Sequence, residues 1–161
     1  MAITKAKKRD EVEKLASAFK GAASVVFVNF KGLTVGNTTT MRSNLRKEGV
    51  SYSVAKKTLT DRALETQKYE GEKPALEGEL AVAWGEDLVA PAREVYNFVK
   101  KFPENLKILG GVFEGRYMSK EEILSIAQIP SLEVLRGKFV NIINSPIQRF
   151  AIALGEIAKK K

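Results

Sequence analysis

Residues 23–30, ASVVFVNF, form an almost unbroken apolar run rich in β-branched side chains. It falls far short of the roughly 20 residues that span a membrane, so it predicts a short strand buried on both faces. The pattern on either side is helical. Upstream, residues 7–20 place Val12, Leu15, Ala16 and Phe19 on one helix face. Downstream, residues 36–47 carry Met41 and Leu45 inward, and Gly49 supplies a stop signal. Val50, Tyr52 and Val54 then alternate with serines, as a half-buried strand does, and a helix is predicted from about Lys57 to Gln67.

The second half repeats this alternation. ELAVAW at 79–84 reads as a strand, 88–101 as a helix with Pro91 in its first turn, and LKILGGVFE at 106–114 as a strand. The glycine pair in that last strand predicts a bulge or a close backbone approach. Ser119 and Glu122 have the spacing of a capping box, opening a short helix that stops before Pro130. Ser131 caps a helix carrying Leu132, Leu135, Phe139 and Ile142, and Ser145-Pro146 predicts the start of a separate one. Four strands interleaved with helices predict an α/β (α+β) sandwich. The pattern leaves a parallel sheet and a split βαβ arrangement both open. The expected division is an α/β domain at 1–130 and a helical segment at 131–161.

The residue types argue against catalysis. The chain has no cysteine and no histidine, which removes thiol chemistry, the commonest metal ligand and the commonest general base. Glu86-Asp87 and Glu121-Glu122 fall at helix starts, where negative charge favours the helix dipole. Gly110, Gly111 and Gly115 do not make G-x-G-x-x-G, and Gly137-Lys138 lacks the rest of a phosphate-binding loop. We expect no enzyme activity, no cofactor, no metal and no small-molecule substrate. The N-terminal MAITKAKKRDEVEKL lacks the apolar core of a signal peptide, so a soluble cytoplasmic protein without a membrane partner is expected.

Charge is segregated along the chain. Residues 1–71 hold 14 Lys and Arg against 7 Asp and Glu, residues 72–135 hold 7 against 11, and residues 136–161 hold 6 against 1. A surface built only for solubility mixes its signs, so the basic first part predicts a polyanionic partner. Arg42 and Arg46 share a helix face, and Lys31 precedes that helix. Lys56, Lys57 and Thr58 fall where a strand turns into a helix, whose free amides and hydroxyl suit a phosphate, and Arg62 extends the strip. Lys5, Lys7, Lys8 and Arg9 predict an N-terminal arm along a phosphate backbone. Phe27, Phe30 and Tyr52 are candidate base-stacking residues, although aromatic residues on strands usually belong to the core.

The tail carries a second pattern. Ile147, Phe150, Ala151, Leu154, Ile157 and Ala158 fall on one helix face. A helix of about 14 residues is marginal alone in water, so this face must dock on its own domain or in a partner's groove. The basic end at 159–161 favours an acidic partner.

FKGLTV at 30–35, LRKEGVSYSVAKKTL at 45–59, ILGGVFEG at 108–115 and IPS at 129–131 before a terminal helix resemble the ribosomal stalk-base family. This is the tenth protein of the bacterial large subunit, kin to the stalk-organising protein of archaea and eukaryotes. The resemblance spans nearly the whole chain. It implies a ferredoxin-like four-stranded α/β domain bound to large-subunit ribosomal RNA, beside a neighbouring stalk-base ribosomal protein. It also implies a C-terminal amphipathic helix that anchors acidic stalk protein dimers, which recruit translational GTPases. By position, GLTV, Arg42, Arg46 and the KKTL turn would face RNA, and Ile147, Phe150, Leu154 and Ile157 would meet the dimers. Two departures accompany it. Lys57 stands where the turn usually has Asn, and the short tail implies one or two dimers. The alternative is a paralogous ribosome-assembly factor at the same RNA site.

Overall fold

A computed structural model describes residues 5–67 and 69–159, with side chains described from residue 8 onward. The chain divides into two compact units after Ile129. The first contains α1 (Lys5–Gly21), β1 (Ser24–Phe30), α2 (Val35–Lys47), β2 (Ser51–Val54), α3 (Lys57–Gln67) and β3 (Leu80–Gly85). It continues with α4 (Ala90–Lys101), β4 (Leu106–Phe113), β5 (Arg116–Met118) and α5 (Lys120–Ala127); α6 (Leu132–Lys159) forms the second unit.

The sheet has the order β2-β3-β1-β4-β5, with every neighbouring pair antiparallel. Strands β1 and β2 therefore run parallel to each other with β3 between them, and β3 and β4 run parallel with β1 between them. This is the split βαβ arrangement of ferredoxin-like domains, one of the two options left open by the sequence pattern.

Alternation along the strands distributes the core between two faces. Val26, Val28, Ala81, Ala83, Leu106 and Ile108 pack with Met41 and Leu45 of α2, Val95 and Phe98 of α4 and Ile123 of α5. Val25, Phe27, Leu80, Val82 and Val112 pack on the other face with Leu15 and Phe19 of α1 and Ala63 and Leu64 of α3. Both faces of the central strand are covered, which is why its sequence is a continuous apolar run rather than an alternating one.

The glycine pair in β4 does produce a bulge. Phe27 pairs with Gly110 but Val28 pairs with Ile108, so Leu109 has no partner and the side-chain parity of β4 reverses there. A Cβ on Gly111 would stand 2.5 Å from the Val25 carbonyl oxygen, and one on Gly110 would stand 2.8 Å from that of Met118. Neither position has room for a side chain.

The fifth strand was not expected. Glu114 and Gly115 both have positive φ (49° and 79°) and form the two-residue turn between paired Phe113 and Arg116. This matches a type I′ hairpin turn, which Glu-Gly announces more weakly than Asn-Gly does. Three-residue β5 is also too short to show a period.

Helix ends follow the predicted chemistry. Gly49 (φ 70°) donates to the Arg46 carbonyl and Val50 to the Leu45 carbonyl, closing α2 with a Schellman motif. Ser119 and Glu122 form the reciprocal capping box. The Asp87 carboxylate accepts from the amides of Val89 and Ala90 at the start of α4, a capping role rather than a catalytic one.

Two expectations require correction. The residues proposed as an N-terminal arm lie in α1, which already begins at Lys5; the side chains of Lys5 and Lys7 lie outside the described residues. The separate helices expected around Pro146 form a single helix, α6, with Pro146 inside it. The proline removes one backbone donor and crowds the preceding turn. Ile142, whose carbonyl loses that donor, is exposed, and the helix continues on both sides.

Candidate nucleic-acid interface

The antiparallel pairing brings several candidate residues to one end of the sheet. β1 and β2 point the same way, so Lys31 at the end of β1 and Lys56-Lys57 at the end of β2 leave the sheet together. Two strand spacings, about 10 Å, separate their chain paths. Asn105 fixes the Lys31 backbone, donating from Nδ2 to its carbonyl at 2.8 Å while its own carbonyl accepts from the Lys31 amide at 2.8 Å. The first turns of α1, α2 and α3 contain no acidic residue, whereas α5 has Glu121 and Glu122 in its first turn. The α2 and α3 N-termini at this end thus keep their partial positive charge for an anion. Thr34 caps α2, and Thr58 lies exposed in the first turn of α3.

The remaining candidates lie on opposite sides of the sheet. Arg42 and Arg46 are exposed on α2, which packs its Met41–Leu45 face onto one side. Arg62 is exposed on α3, which packs on the other side, and there it lines a cavity of about 290 Å³ with Lys8 and Arg9 of α1. Edge strand β2 runs between α2 and α3. The basic surface therefore straddles an edge and does not form one flat patch.

Few of these cations are neutralised locally. The ion pairs among the described residues are Lys73–Asp61, Arg93–Glu48 and Arg93–Glu94. Asp61 and Glu48, the acidic residues closest in sequence to Arg62 and Arg46, are thus held by partners from outside the basic set. Lys31, Arg42, Arg46, Lys56, Lys57 and Arg62 keep their charge available. Arg42 stacks its guanidinium over Tyr52, 5.7 Å from the ring centre. Burial pushes the Tyr52 phenol above its ordinary pKa, and the Arg42 charge pulls it partly back.

The candidate stacking residues diverge. Phe27 is fully buried, and half-buried Tyr52 packs against the α2-side core. Half-buried Phe30 lines a groove of about 770 Å³ with Leu15 of α1, Val54 of β2 and Trp84 of β3. Lys14 faces the same groove beside Lys56 and Lys57. Lys14 and Trp84 were not singled out from the sequence; Lys14 belongs to an α1 face, Glu11, Lys14, Leu15 and Ala18, at helical spacing.

In α6, Ile147, Phe150, Ala151, Leu154, Ile157 and Ala158 are exposed, Ile147 at 70% and Phe150 at 67%. Leu132, Leu135, Phe139 and Ile142 are exposed as well, so the apolar surface runs the length of the helix and crosses Pro146. Among the described residues no group of three or more His, Cys, Asp or Glu could hold a metal ion, and no helix is long and apolar enough to cross a membrane.

Residues 3–100 match the family described as Ribosomal protein L10. A protein named Large ribosomal subunit protein uL10 from Staphylococcus haemolyticus is 38% identical over 161 residues, 99% of this chain and 96% of the relative. Proteins of the same name from two strains of Staphylococcus epidermidis are 37% identical over the same shares. With the family pattern matching more than half of this chain, and these relatives matched over nearly their whole length, the protein belongs to the ribosomal protein L10 family, a family of structural ribosomal proteins and not of enzymes.

Proposed function

We propose that the first unit binds large-subunit ribosomal RNA around the β2 edge and that α6 anchors acidic stalk protein dimers. Family membership makes the chain a structural protein of the large ribosomal subunit, working in the cytoplasm. The observation that supports the RNA reading is the set of cations on α2, on the β2–α3 turn and on α3 that form no ion pair among the described residues, beside two helix N-termini without acidic residues in the first turn. A phosphate backbone passing over the β2 edge would meet Arg42 and Arg46 on one side and Lys56, Lys57, Thr58 and Arg62 on the other. Lys31, Lys8 and Arg9 extend this surface toward the end of the sheet, and Lys5 and Lys7 precede them in α1. A neighbouring stalk-base ribosomal protein would share the same RNA.

The docking reading rests on α6, which has no buried residue and a continuous apolar seam. Ile147, Phe150, Ala151, Leu154, Ile157 and Ala158 form its distal stretch, enough for one or two dimers.

The test uses two double variants of the full chain. Arg46→Glu with Lys56→Glu weakens binding to protein-free large-subunit ribosomal RNA and leaves stalk-protein binding intact. Phe150→Asp with Leu154→Asp does the reverse. For about five phosphate contacts, the wild-type affinity falls with salt at a log–log slope near −4. A folded double variant that loses both activities overturns the division of labour, and native mass spectrometry showing three dimers overturns the count.

A further inference from the structure

The groove between α1 and the β2 edge differs in chemistry from the surrounding basic surface. Its floor consists of Leu80 and Trp84 of β3 with Ser53 of β2, and Leu15 and Ala18 of α1 form a wall. Lys14, Lys56 and Lys57 face it, but so do Glu11 and Glu79, so three cations are set against two carboxylates. A phosphate is poorly served by apolar walls and two carboxylates. A nucleobase is well served: its faces stack on an aromatic ring, its exocyclic amino group donates to a carboxylate, and the phosphates on either side stay with lysines. The Phe19 ring meets the Trp84 indole at 86° with centroids 6.3 Å apart, holding the indole in place along the groove.

We propose that this groove receives one unpaired base of the bound RNA, with Trp84 as the stacking surface and Glu11 or Glu79 accepting from the amino group of adenine, guanine or cytosine. This rests on the RNA-binding reading and makes it more specific: the recognised RNA presents an unstacked, amino-bearing base next to the phosphates held by Lys56 and Lys57. Uracil lacks that amino group and fits less well. The neighbouring phosphates lie within reach of the α3 N-terminus, so one nucleotide bridges the apolar floor and the basic rim.

Trp84 is the chain's single tryptophan, so tryptophan fluorescence comes from a residue of this groove. The experiment titrates the full chain with octa-adenylate, and with a fully paired RNA duplex of equal phosphate number, following binding by filter retention and Trp84 emission in parallel. Octa-adenylate is expected to quench the emission, whereas the duplex binds and leaves it unchanged. Ala18→Leu and Ser53→Leu each narrow the groove with a neutral side chain at a partly exposed position. Each should weaken octa-adenylate binding about tenfold, within the worth of one base–aromatic stack, at unchanged duplex affinity. If both RNAs bind and the emission does not respond, the base site is wrong, and an extended peptide on the β2 edge becomes the occupant to test. If neither RNA binds, the RNA-binding reading itself falls, and the base site with it.

Discussion

Arg42 on α2 places its guanidinium 5.7 Å from the ring centre of Tyr52 on β2, tying a helix to the edge strand beside it. The contact leaves Arg42 exposed while favouring one placement of its guanidinium, so in the proposed interface this cation is positioned in advance of a phosphate.

The same contact has a titration signature. Burial raises the Tyr52 pKa above 10.0 and Arg42 lowers it, so Arg42→Met should raise it further. Phenolate absorbance against pH reads the change. A phenol with a raised folded-state pKa favours the folded protein fully below the unfolded value and loses that contribution as pH climbs through the folded value. The wild-type chain should therefore lose stability above about pH 10, and a Tyr52→Phe chain should lose less.

Gly111 makes a sharper demand on packing. Gly111→Ala would drive a Cβ against the Val25 carbonyl oxygen and to 3.0 Å from Ile123 Cδ1. A cost of about 1–3 kcal/mol is expected in urea unfolding, as for other overpacked sites. An unaffected midpoint would show that the β1–β4 pair separates more easily than its bulge implies.

At the start of α5, the Ser119 backbone amide and then its hydroxyl hold the Glu122 carboxyl below its usual pKa of 4.5, with Arg116 adding a smaller pull. A carboxylate depressed in this way stabilises the folded state above the unfolded pKa and ceases to do so as pH falls through the folded one. Glu122→Ala should therefore be destabilising near neutral pH. Its melting temperature should converge on wild type as pH falls in acid below the ordinary carboxyl value of 4.5.

Pro146 interrupts the ladder of an otherwise continuous α6. Pro146→Ala restores a donor to the Ile142 carbonyl, so amides around residues 142–150 should exchange more slowly with solvent in the free chain. Exchange unchanged across that turn would mean that the proline costs the helix nothing measurable.

Much of this architecture was legible because neighbouring signals agreed. The buried run at 23–30, the Gly49 stop and the Ser119–Glu122 box each combine a hydrophobic period with a specific backbone chemistry. β5 was missed because three residues after Glu-Gly carry no period. The continuity through Pro146 was missed because Ser145-Pro146 reads as an N-cap and first helical position, while the same pair can also sit inside a helix as an interruption. The basic residues themselves were readable, but their division between two sides of the sheet was not. That division follows from α2 and α3 packing on opposite faces, and strand order is set by long-range pairing. Lys14 and Trp84 were hidden for the same reason: α1 and β3 come together only in the folded domain.

The two margins of the sheet are unlike. Beside β5, Glu70 donates to the Gly115 carbonyl and accepts from the Tyr117 amide at 2.8 Å, bridging to that short strand, while β2 pairs with β3 alone. A sheet with two open margins can add copies without limit, as a fibre does. Two copies joined through β2 by a two-fold axis would use that margin on each. Strand pairing through β2 would thus be self-terminating, ending at a pair and not at a filament.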